Sequence, residues 1–310
     1  MAHVTFIHGI ANKPPADNLL KIWRRALADA ADPLPLGDLG VTTSLIYWAD
    51  LMYDKPEDDA SAEESAGDIA ADASGQATAP QPRNAEEAAF LDSLRSKLTA
   101  LSDEEMQSGD VPPVPAQPQG ALERVPLPWF IKKRIMDIFL RDVHHYLFDT
   151  EFAPPGRTPS VHIQQTIRKR FIDVVCDKAI TQPHIVVSHS MGTVIAYDCL
   201  KRVAPCANVD GFITIGSPLG LDEIQDKLQP EWTRANGFPR EKVAKNWINI
   251  FDRLDPVCGF DPTLANDYRE RDAAVVKDLV VQNDGAWRHS ATKYLRQPVF
   301  RDSLRSMLGL

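Results

Sequence analysis

Hydrophobic positions along the chain follow two periods, one typical of buried strands and one typical of amphipathic helices. Residues 3–8 form a short apolar run that ends at Gly9, and this run predicts a buried strand. In residues 17–31 the apolar side chains recur every three or four positions, which predicts a helix with one buried face. Residues 41–48 are β-branched and aromatic and predict a second strand. This β-α-β order is typical of a parallel sheet with helices on its faces.

The same alternation returns in the second half of the chain. Strands are predicted at 184–187, 209–215 and 247–251, and helices at 160–179, 191–203, 290–295 and 300–308. Residues 275–281 are either a strand or the end of a helix, and the pattern favours a strand. With the two earlier strands, these elements give a sheet of about six strands. We therefore expect an α/β fold with a mostly parallel open sheet flanked by helices, formed by residues 1–50 and 158–310.

Residues 51–157 break the alternation and predict an insertion. Residues 54–85 are rich in Ala, Asp, Glu, Ser and Gln, so we expect them to be flexible. Residues 86–101 have helical spacing, 108–126 are rich in proline and predict an extended linker, and 127–150 have strong helical periodicity. The last segment is either a cap helix over a hydrophobic pocket or a helix packed on the sheet as core. An amphipathic stripe does not decide between these two.

The formal net charge of −9 comes from one segment of the chain. Residues 54–110 hold 15 acidic and 4 basic residues, a net charge of −11, which leaves +2 for the rest. Neither part has the basic character of a nucleic-acid-binding surface, so we expect no nucleic-acid partner. Lys132, Lys133 and Arg134 beside Trp129 and Phe130 could contact a membrane surface, but the pattern favours a solvated basic patch.

No sequence pattern predicts a cofactor or a metal site. The chain has no P-loop and no dinucleotide-binding fingerprint. His144 and His145 are adjacent, and neighbouring helical residues point in different directions, so they do not form a ligand pair. The four cysteines lack CxxC spacing and are interpreted as reduced thiols, and no signal peptide pattern precedes the first strand. We therefore expect a cytoplasmic location.

The most informative segment is Ile185–Gly192, with the sequence IVVSHSMG. A buried strand runs into a tight turn and then a helix, with Ser188 and Gly192 two positions before and after Ser190. A sharp turn needs small residues there, because larger side chains would collide with neighbouring elements. Such a turn places the Ser190 hydroxyl at the carboxyl edge of the sheet, and the following helix directs its N–H groups at the same place.

These residues resemble the nucleophile elbow of the α/β-hydrolase superfamily, G-x-S-x-G, and many lipases and esterases of that family have the same His-Ser-Met-Gly. Ser188 replaces the first glycine, which is a change between small residues. The resemblance covers residues 1–50 and 160–310 and lacks the family's first two strands. It implies that Ser190 is the nucleophile of a Ser-His-Asp triad.

The family's chain order implies the partners of Ser190, since an acid and then a histidine follow the serine. Only His289 lies beyond the nucleophile turn, after the last predicted strand. The acid should follow the strand at 247–251, where Asp252 and Asp255 both occur. The Asp-Pro-Val group resembles the family's acid loop and favours Asp255, with a turn cap or salt bridge as the other reading of Asp252.

The family builds its oxyanion hole from two backbone N–H groups, which the resemblance places at Met191 and at Ile10, in the loop after His8-Gly9. We expect the His8 side chain itself to be buried and bonded to loop backbone.

The resemblance implies a serine esterase or lipase acting on a small hydrophobic ester, without cofactor. An acyltransferase or thioesterase with the same triad, and a non-catalytic hydrolase-fold scaffold, are the alternatives, and a second lid could lie at 217–244. The sequence does not predict the oligomeric state.

Overall fold

The computed structural model describes residues 2–29, 31–57, 80–107, 129–258, 261–285 and 287–310. The strands of these residues are β1 (His3–Ile7), β2 (Thr42–Ile46), β3 (Glu151–Phe152), β4 (Val161–His162), β5 (His184–His189), β6 (Val209–Ile215), β7 (Val243–Asp252) and β8 (Lys277–Val281). Six of them form one sheet in the order β2-β1-β5-β6-β7-β8, and each neighbouring pair is parallel. The predicted α/β class and parallel sheet are confirmed.

Helices cover both faces of this sheet. They are α1 (Ala16–Ala28), α2 (Ala49–Met52), α3 (Ala85–Gln107), α4 (Trp129–Leu147), α5 (Ile163–Val175), α6 (Met191–Arg202), α7 (Asp222–Lys227), α8 (Ala291–Leu295) and α9 (Pro298–Leu308). Ile185 and Val187 of β5 pack in one cluster with side chains of α1, α8 and α9. Val186 points to the opposite face, because side chains alternate along a strand, and packs in a larger cluster with α3, α4, α5 and α6.

The direction of the strand order reverses between β1 and β5. From β1 the chain passes through α1 to β2 on one side, and it later returns to β5 on the other side of β1. Open α/β sheets bind ligands at such a reversal, beyond the carboxyl ends of the strands. Gly9 follows β1 and Ser190 follows β5, so both residues lie at this point.

Outside the insertion, the helix predicted at 160–179 and the strand predicted at 247–251 differ most from their predicted bounds. The helix expected at 160–179 is shorter, because its first residues form β4 and because the Asp177 carboxylate accepts a 2.9 Å hydrogen bond from the Ala179 N–H, which favours a turn. Strand β7 begins at Val243 and not at Trp247. Its exposed residues 244–246 carry no apolar pattern, so the sequence did not reveal this end of the strand.

The described part of the insertion consists mainly of α3 and α4. Helix α3 extends beyond the predicted 86–101, and α4 lies within the predicted 127–150. Residues 58–79 of the acidic stretch and the proline-rich 108–126 lie outside the described residues. Within the described residues, no helix is long and apolar enough to cross a membrane.

The described side chains of α4 pack in the core. Ile138, Phe139 and Val143 are at most 1% exposed and share a cluster with Met191, which follows Ser190. Core packing therefore accounts for this face of α4, while a covering role over the pocket stays a prediction. The side chains of residues 129–132, with the aromatic part of the predicted basic patch, lie outside the described residues.

Candidate active site

Ser190 occupies the turn between β5 and α6 in a backbone conformation that residues with a side chain rarely adopt. Its φ is 54° and its ψ is −129°. Such a conformation costs about 1–3 kcal/mol and persists only where the surrounding structure imposes it. The Ser190 N–H donates a 3.1 Å hydrogen bond to the carbonyl oxygen of Ile215, which ties the turn to the end of β6. The Ser190 side chain is fully buried.

Two glycines allow the first loop to lie against this turn. A Cβ at Gly192 would be 2.5 Å from the carbonyl oxygen of His8, and a Cβ at Gly9 would be 2.5 Å from Cβ of Ser190. Both distances are shorter than real Cβ atoms reach, so only glycine fits either position. Ser188 is also fully buried, and its hydroxyl donates to the carbonyl oxygen of Ile213 at 3.2 Å. The pattern of small residues around Ser190 thus has a steric cause.

His289 and Asp255 are in direct contact. The Nδ1 atom of His289 lies 2.8 Å from each carboxylate oxygen of Asp255, and both side chains are buried. A carboxylate only accepts hydrogen bonds, so Nδ1 carries the proton and Nε2 presents a lone pair. Asp255 also accepts hydrogen bonds from the Tyr294 hydroxyl at 2.6 Å and from the Val257 N–H at 2.9 Å. Four contacts thus fix this carboxylate in one orientation.

Opposed effects act on the pKa of Asp255. Complete burial acts to raise it, whereas the positive charge that His289 can carry, together with hydrogen bonds from His289, Tyr294 and Val257, lowers it below its usual value. The net direction is downward. Asp255 therefore stays ionised in the folded protein and can hold the imidazole of His289 in one tautomer.

Asp252, the alternative acid, has different partners. Its Oδ2 atom accepts hydrogen bonds from the Asn283 N–H at 2.6 Å and from Arg288 at 3.1 Å, and its Oδ1 accepts from the Leu254 N–H at 2.8 Å. These bonds are those of a turn cap and a salt bridge. Of the two aspartates, the structure brings only Asp255 to His289.

A hydrogen bond of His189 joins the loop that carries His289 to the turn at Ser190. The Nε2 atom of His189 lies 2.7 Å from the carbonyl oxygen of His289, and the two rings are 4.7 Å apart. A Cβ at Gly216, whose φ is 55°, would lie 2.9 Å from Oδ2 of Asp255 and 3.1 Å from Nδ1 of His289. The end of β6, the turn at Ser190 and the Asp255–His289 pair therefore meet at one place on the carboxyl edge of the sheet.

Ser190 and His289 each leave one polar atom without a partner among the described residues. These atoms are Oγ of Ser190 and Nε2 of His289, both buried, and no hydrogen bond joins one to the other. Hydrogen bonds between catalytic groups are often long or misaligned before a substrate binds. A buried hydroxyl and a buried ring nitrogen, each with unused capacity, are suited to proton transfer.

The expected oxyanion donors lie on either side of Ser190. Neither the Ile10 N–H nor the Met191 N–H donates a hydrogen bond to any described residue. The Trp48 N–H donates to Nε2 of His8 at 3.0 Å, so Nδ1 of His8 carries the proton and donates to the carbonyl oxygen of Gly9 at 2.8 Å. In a trans peptide the C=O and N–H point in opposite directions, so this bond directs the Ile10 N–H away from His8. The side chain of His8 is buried and bonded to loop backbone, as its surroundings in the sequence indicated.

Among the described residues, no group of three or more His, Cys, Asp or Glu side chains is arranged to hold a metal ion. The two adjacent histidines of α4 have separate partners. Nε2 of His144 lies 2.9 Å from Glu87, and Nδ1 of His145 contacts the Thr150 hydroxyl.

Sequence reasoning missed the contacts of His189, Tyr294 and Gly216 with the site. Each contacts a group that is distant along the chain, so no local spacing marks it. The sequence shows Gly216 at the end of the predicted strand 209–215. Its role, however, depends on the side chains of Asp255 and His289, which belong to two later segments of the chain.

Neither the models of known protein families nor the curated protein sequences include one that matches this chain. The geometry of the site therefore carries the functional argument.

Proposed function

We propose that this protein is a serine-dependent carboxylic-ester hydrolase of the α/β-hydrolase type, with Ser190, His289 and Asp255 as its triad. The observation that carries the proposal is the buried His289–Asp255 pair, which lies beside a strained serine turn at the reversal point of a parallel sheet. A buried histidine whose Nδ1 is held by a carboxylate is the arrangement that activates a serine.

In the proposed reaction Oγ of Ser190 attacks the carbonyl carbon of the ester. Its proton passes to Nε2 of His289, and the carboxylate of Asp255 stabilises the resulting imidazolium. His289 then returns that proton to the departing alcohol, which leaves an acyl group on Ser190. A water molecule, deprotonated by His289, releases the acid and restores the serine.

Negative charge develops on the carbonyl oxygen of the ester as Ser190 attacks. The N–H groups of Ile10 and Met191 would receive it, since both lie next to the turn and neither is used elsewhere among the described residues. Removing one such donor typically costs about 3 kcal/mol of transition-state stabilisation.

We propose an apolar acyl ester as substrate. The side chains at the two donor positions, Ile10 and Met191, are hydrophobic, and the ring of Trp287 packs edge-on against His289 with 5.6 Å between centroids. Ser190 is not exposed to solvent, so we propose that the groups covering its hydroxyl shift when an ester binds.

A fluorophosphonate probe tests the nucleophile. We expect native protein to be labelled at Ser190 and the Ser190→Ala variant to remain unlabelled. Ser188→Ala is the matched control, because it removes a buried hydroxyl two residues away and should still label. Failure of the native protein to label, or equal labelling of Ser190→Ala, would refute the enzymatic proposal and favour a non-catalytic scaffold.

A panel of p-nitrophenyl esters of rising chain length tests the substrate class. We expect kcat/KM to rise from acetate to longer acyl chains. A preference confined to acetate would contradict an apolar acyl site while leaving the triad itself in place.

A further inference from the structure

Two buried charged side chains hold opposite ends of the peptide group between Ile10 and Ala11. The ammonium of Lys13 donates a 2.7 Å hydrogen bond to the carbonyl oxygen of Ile10. The N–H of Ala11 donates to Oδ2 of Asp142 at 3.3 Å. Lys13 is 3% exposed and Asp142 is 1% exposed, so both contacts lie inside the protein.

Asp142 reaches this peptide from the insertion, since it belongs to α4. Its carboxylate is paired with the guanidinium of Arg141 at 2.7 Å, and that guanidinium lies 4.6 Å from the ring centre of Tyr53. Burying charges is costly unless each finds a partner. The cluster therefore joins α4, the residues after α2 and the loop after β1 through bonds that are expensive to break.

The backbone at Ala11 needs such support. Its φ is 71°, in the left-handed region that residues with a side chain rarely adopt. Conformations of this kind persist where neighbouring groups impose them, and they concentrate at functional sites. The hydrogen bond from the Ala11 N–H to Asp142 is one of those constraints.

We propose that Lys13 and Asp142 are positioning residues for the oxyanion hole: by holding the Ile10–Ala11 peptide group they keep the adjacent Ile10 N–H directed at the substrate oxygen. This inference rests on the proposed esterase function. It gives α4 a part in the reaction through Asp142, which acts on the loop backbone and not on the ester itself.

The physical link is the backbone of Ile10 itself. Its N–H belongs to the peptide group whose carbonyl, that of Gly9, is bonded to His8. The following peptide group is the one held by Lys13 and Asp142. Rotation of the second peptide group changes ψ of Ile10 and φ of Ala11, so the loop backbone must shift to compensate, and this shift moves the Ile10 N–H away from the site. A displacement of about 1 Å in a catalytic group can lower the rate by about 10²-fold.

Two variants test the proposal, Asp142→Ala and Lys13→Met. We expect each to lower kcat for a p-nitrophenyl ester by about 10- to 10²-fold with little change in KM, because the Ile10 N–H acts mainly in the transition state. Affinity for an alkyl boronic acid, which forms a tetrahedral anion on the serine, should fall by a similar factor. The double variant should lose less than the product of the single losses, since both residues act on one peptide group.

Controls separate this effect from general damage to the fold. Asp142→Asn keeps an acceptor for the Ala11 N–H and should recover most of kcat relative to Asp142→Ala. Asp137→Ala removes another acid of α4, one that pairs with Lys133 at 2.7 Å on the surface, and should leave kcat and boronate affinity unchanged. Circular dichroism and thermal unfolding establish that each variant is folded, and Lys13→Met provides an independent test if Asp142→Ala does not fold.

Different outcomes would contradict the positioning role and the proposed esterase function. If native protein is labelled at Ser190 but folded Lys13→Met and Asp142 variants keep native kcat and boronate affinity, the positioning role is wrong and the esterase proposal stands. If KM rises while kcat is kept, the cluster shapes substrate binding and the positioning role is likewise wrong. If native protein is not labelled at Ser190, the proposed function itself fails.

Discussion

The hydroxyl of Tyr294 donates a 2.6 Å hydrogen bond to Oδ2 of Asp255 and accepts one of 3.0 Å from the backbone N–H of Asp252. The buried hydroxyl of Tyr294 thus contacts both aspartates that the sequence offered as candidates for the acid. Only Asp255 contacts His289. The two acids can therefore be separated by experiment.

Asp255→Asn and Asp252→Asn should have opposite signatures. Asn at 255 cannot fix the required tautomer of His289, and we expect kcat to fall by about 10⁴-fold. Asn at 252 weakens the ion pair with Arg288 and the turn, so it should lower stability by about 1–3 kcal/mol while most activity remains. Steady-state kinetics on one short ester, with thermal unfolding of both variants, measures this. Loss of activity in the Asp252 variant alone would reverse the assignment of the acid.

Tyr294→Phe should change the pH dependence of the reaction. Burial and the charge of Asp255 hold the pKa of Tyr294 well above its ordinary value, so the phenol remains a donor at working pH. Its hydrogen bond is one of the contacts that lower the pKa of Asp255. Removing that bond raises the pKa of Asp255, and we expect the acid limb of the kcat profile to move to higher pH. An unchanged profile in a folded variant would show that Tyr294 only fills space.

Gly216→Ala tests the close packing around the Asp255–His289 pair. The new Cβ would lie 2.9 Å from Oδ2 of Asp255, so the pair must move, and we expect kcat to fall by about 10²-fold. Gly40→Ala is the matched control, because Gly40 also has positive φ, 72°, and no heavy atom lies within 4 Å of its added Cβ. Both substitutions carry the backbone cost of about 1 kcal/mol. Equal activity of the two variants would contradict the steric argument.

Glu87→Gln tests whether the charge of the buried Glu87 carboxylate, which bonds to Arg83 and His144, stabilises the start of α3. Burial acts to raise the pKa of Glu87, but hydrogen bonds from Arg83 and His144 lower it from 4.5 to about 2. A carboxyl whose pKa is lowered on folding stabilises the protein above its unfolded pKa and loses that effect as the pH falls through the folded one. We expect Glu87→Gln to lower the free energy of unfolding at neutral pH, with the difference from native protein shrinking between pH 4.5 and about 2. Urea unfolding of both proteins at several pH values measures this difference in the free energy of unfolding.

The neighbouring Glu86→Gln is the control for this comparison. The Glu86 side chain is 71% exposed in its pair with Lys227, so its loss should change stability little. A pH-independent difference for Glu87→Gln would show that the side chain acts by packing and not by its charge.

Replacing residues 58–79 with Gly and Ser of equal number should leave the ester chemistry intact, with kcat/KM on a short ester close to that of native protein. The high content of acidic residues in this stretch favours a role in solubility. A deletion of 56–84 would be a less clean test. It would also remove Arg83 and Asn84, both of which bond to Glu87. Complete loss of activity in a folded replacement would show that 58–79 takes part in covering the site.

The six strands of the sheet could be predicted from the sequence, because most are apolar or β-branched runs ended by a turn, although the segment that holds β8 also fitted the end of a helix. Their spatial order could not, since local patterns do not specify partners. The start of β7 was also missed: its residues 244–246 are exposed, so they lack the apolar signal that marks a buried strand.

Some features of the candidate site could likewise be predicted from the sequence, and others could not. The turn at Ser190 was visible because its steric demands fall on residues two positions away. The preference for Asp255 over Asp252 came from the resemblance of Asp-Pro-Val to the family's acid loop and from its turn geometry. The contact of Asp255 with His289, 34 residues away, has no local signature. The peptide group held by Lys13 and Asp142 depends on a contact across 131 residues, and nothing in the spacing of either residue indicates it.

The pairing of β1 with β5 has a consequence for how the chain folds. Thr5 and His184 share a 2.8 Å hydrogen bond although they are 179 residues apart. Loop-closure entropy grows only logarithmically, by about 0.6 kcal/mol for each doubling of length, so the long insertion between them costs little stability. The insertion instead lowers the rate of folding, because strands that are distant along the chain pair slowly. At a synthesis rate of about 5–20 residues per second, β5 is made on the order of 10–40 s after β1, so β1 can pair with β2 early while its other edge stays without β5 during that interval.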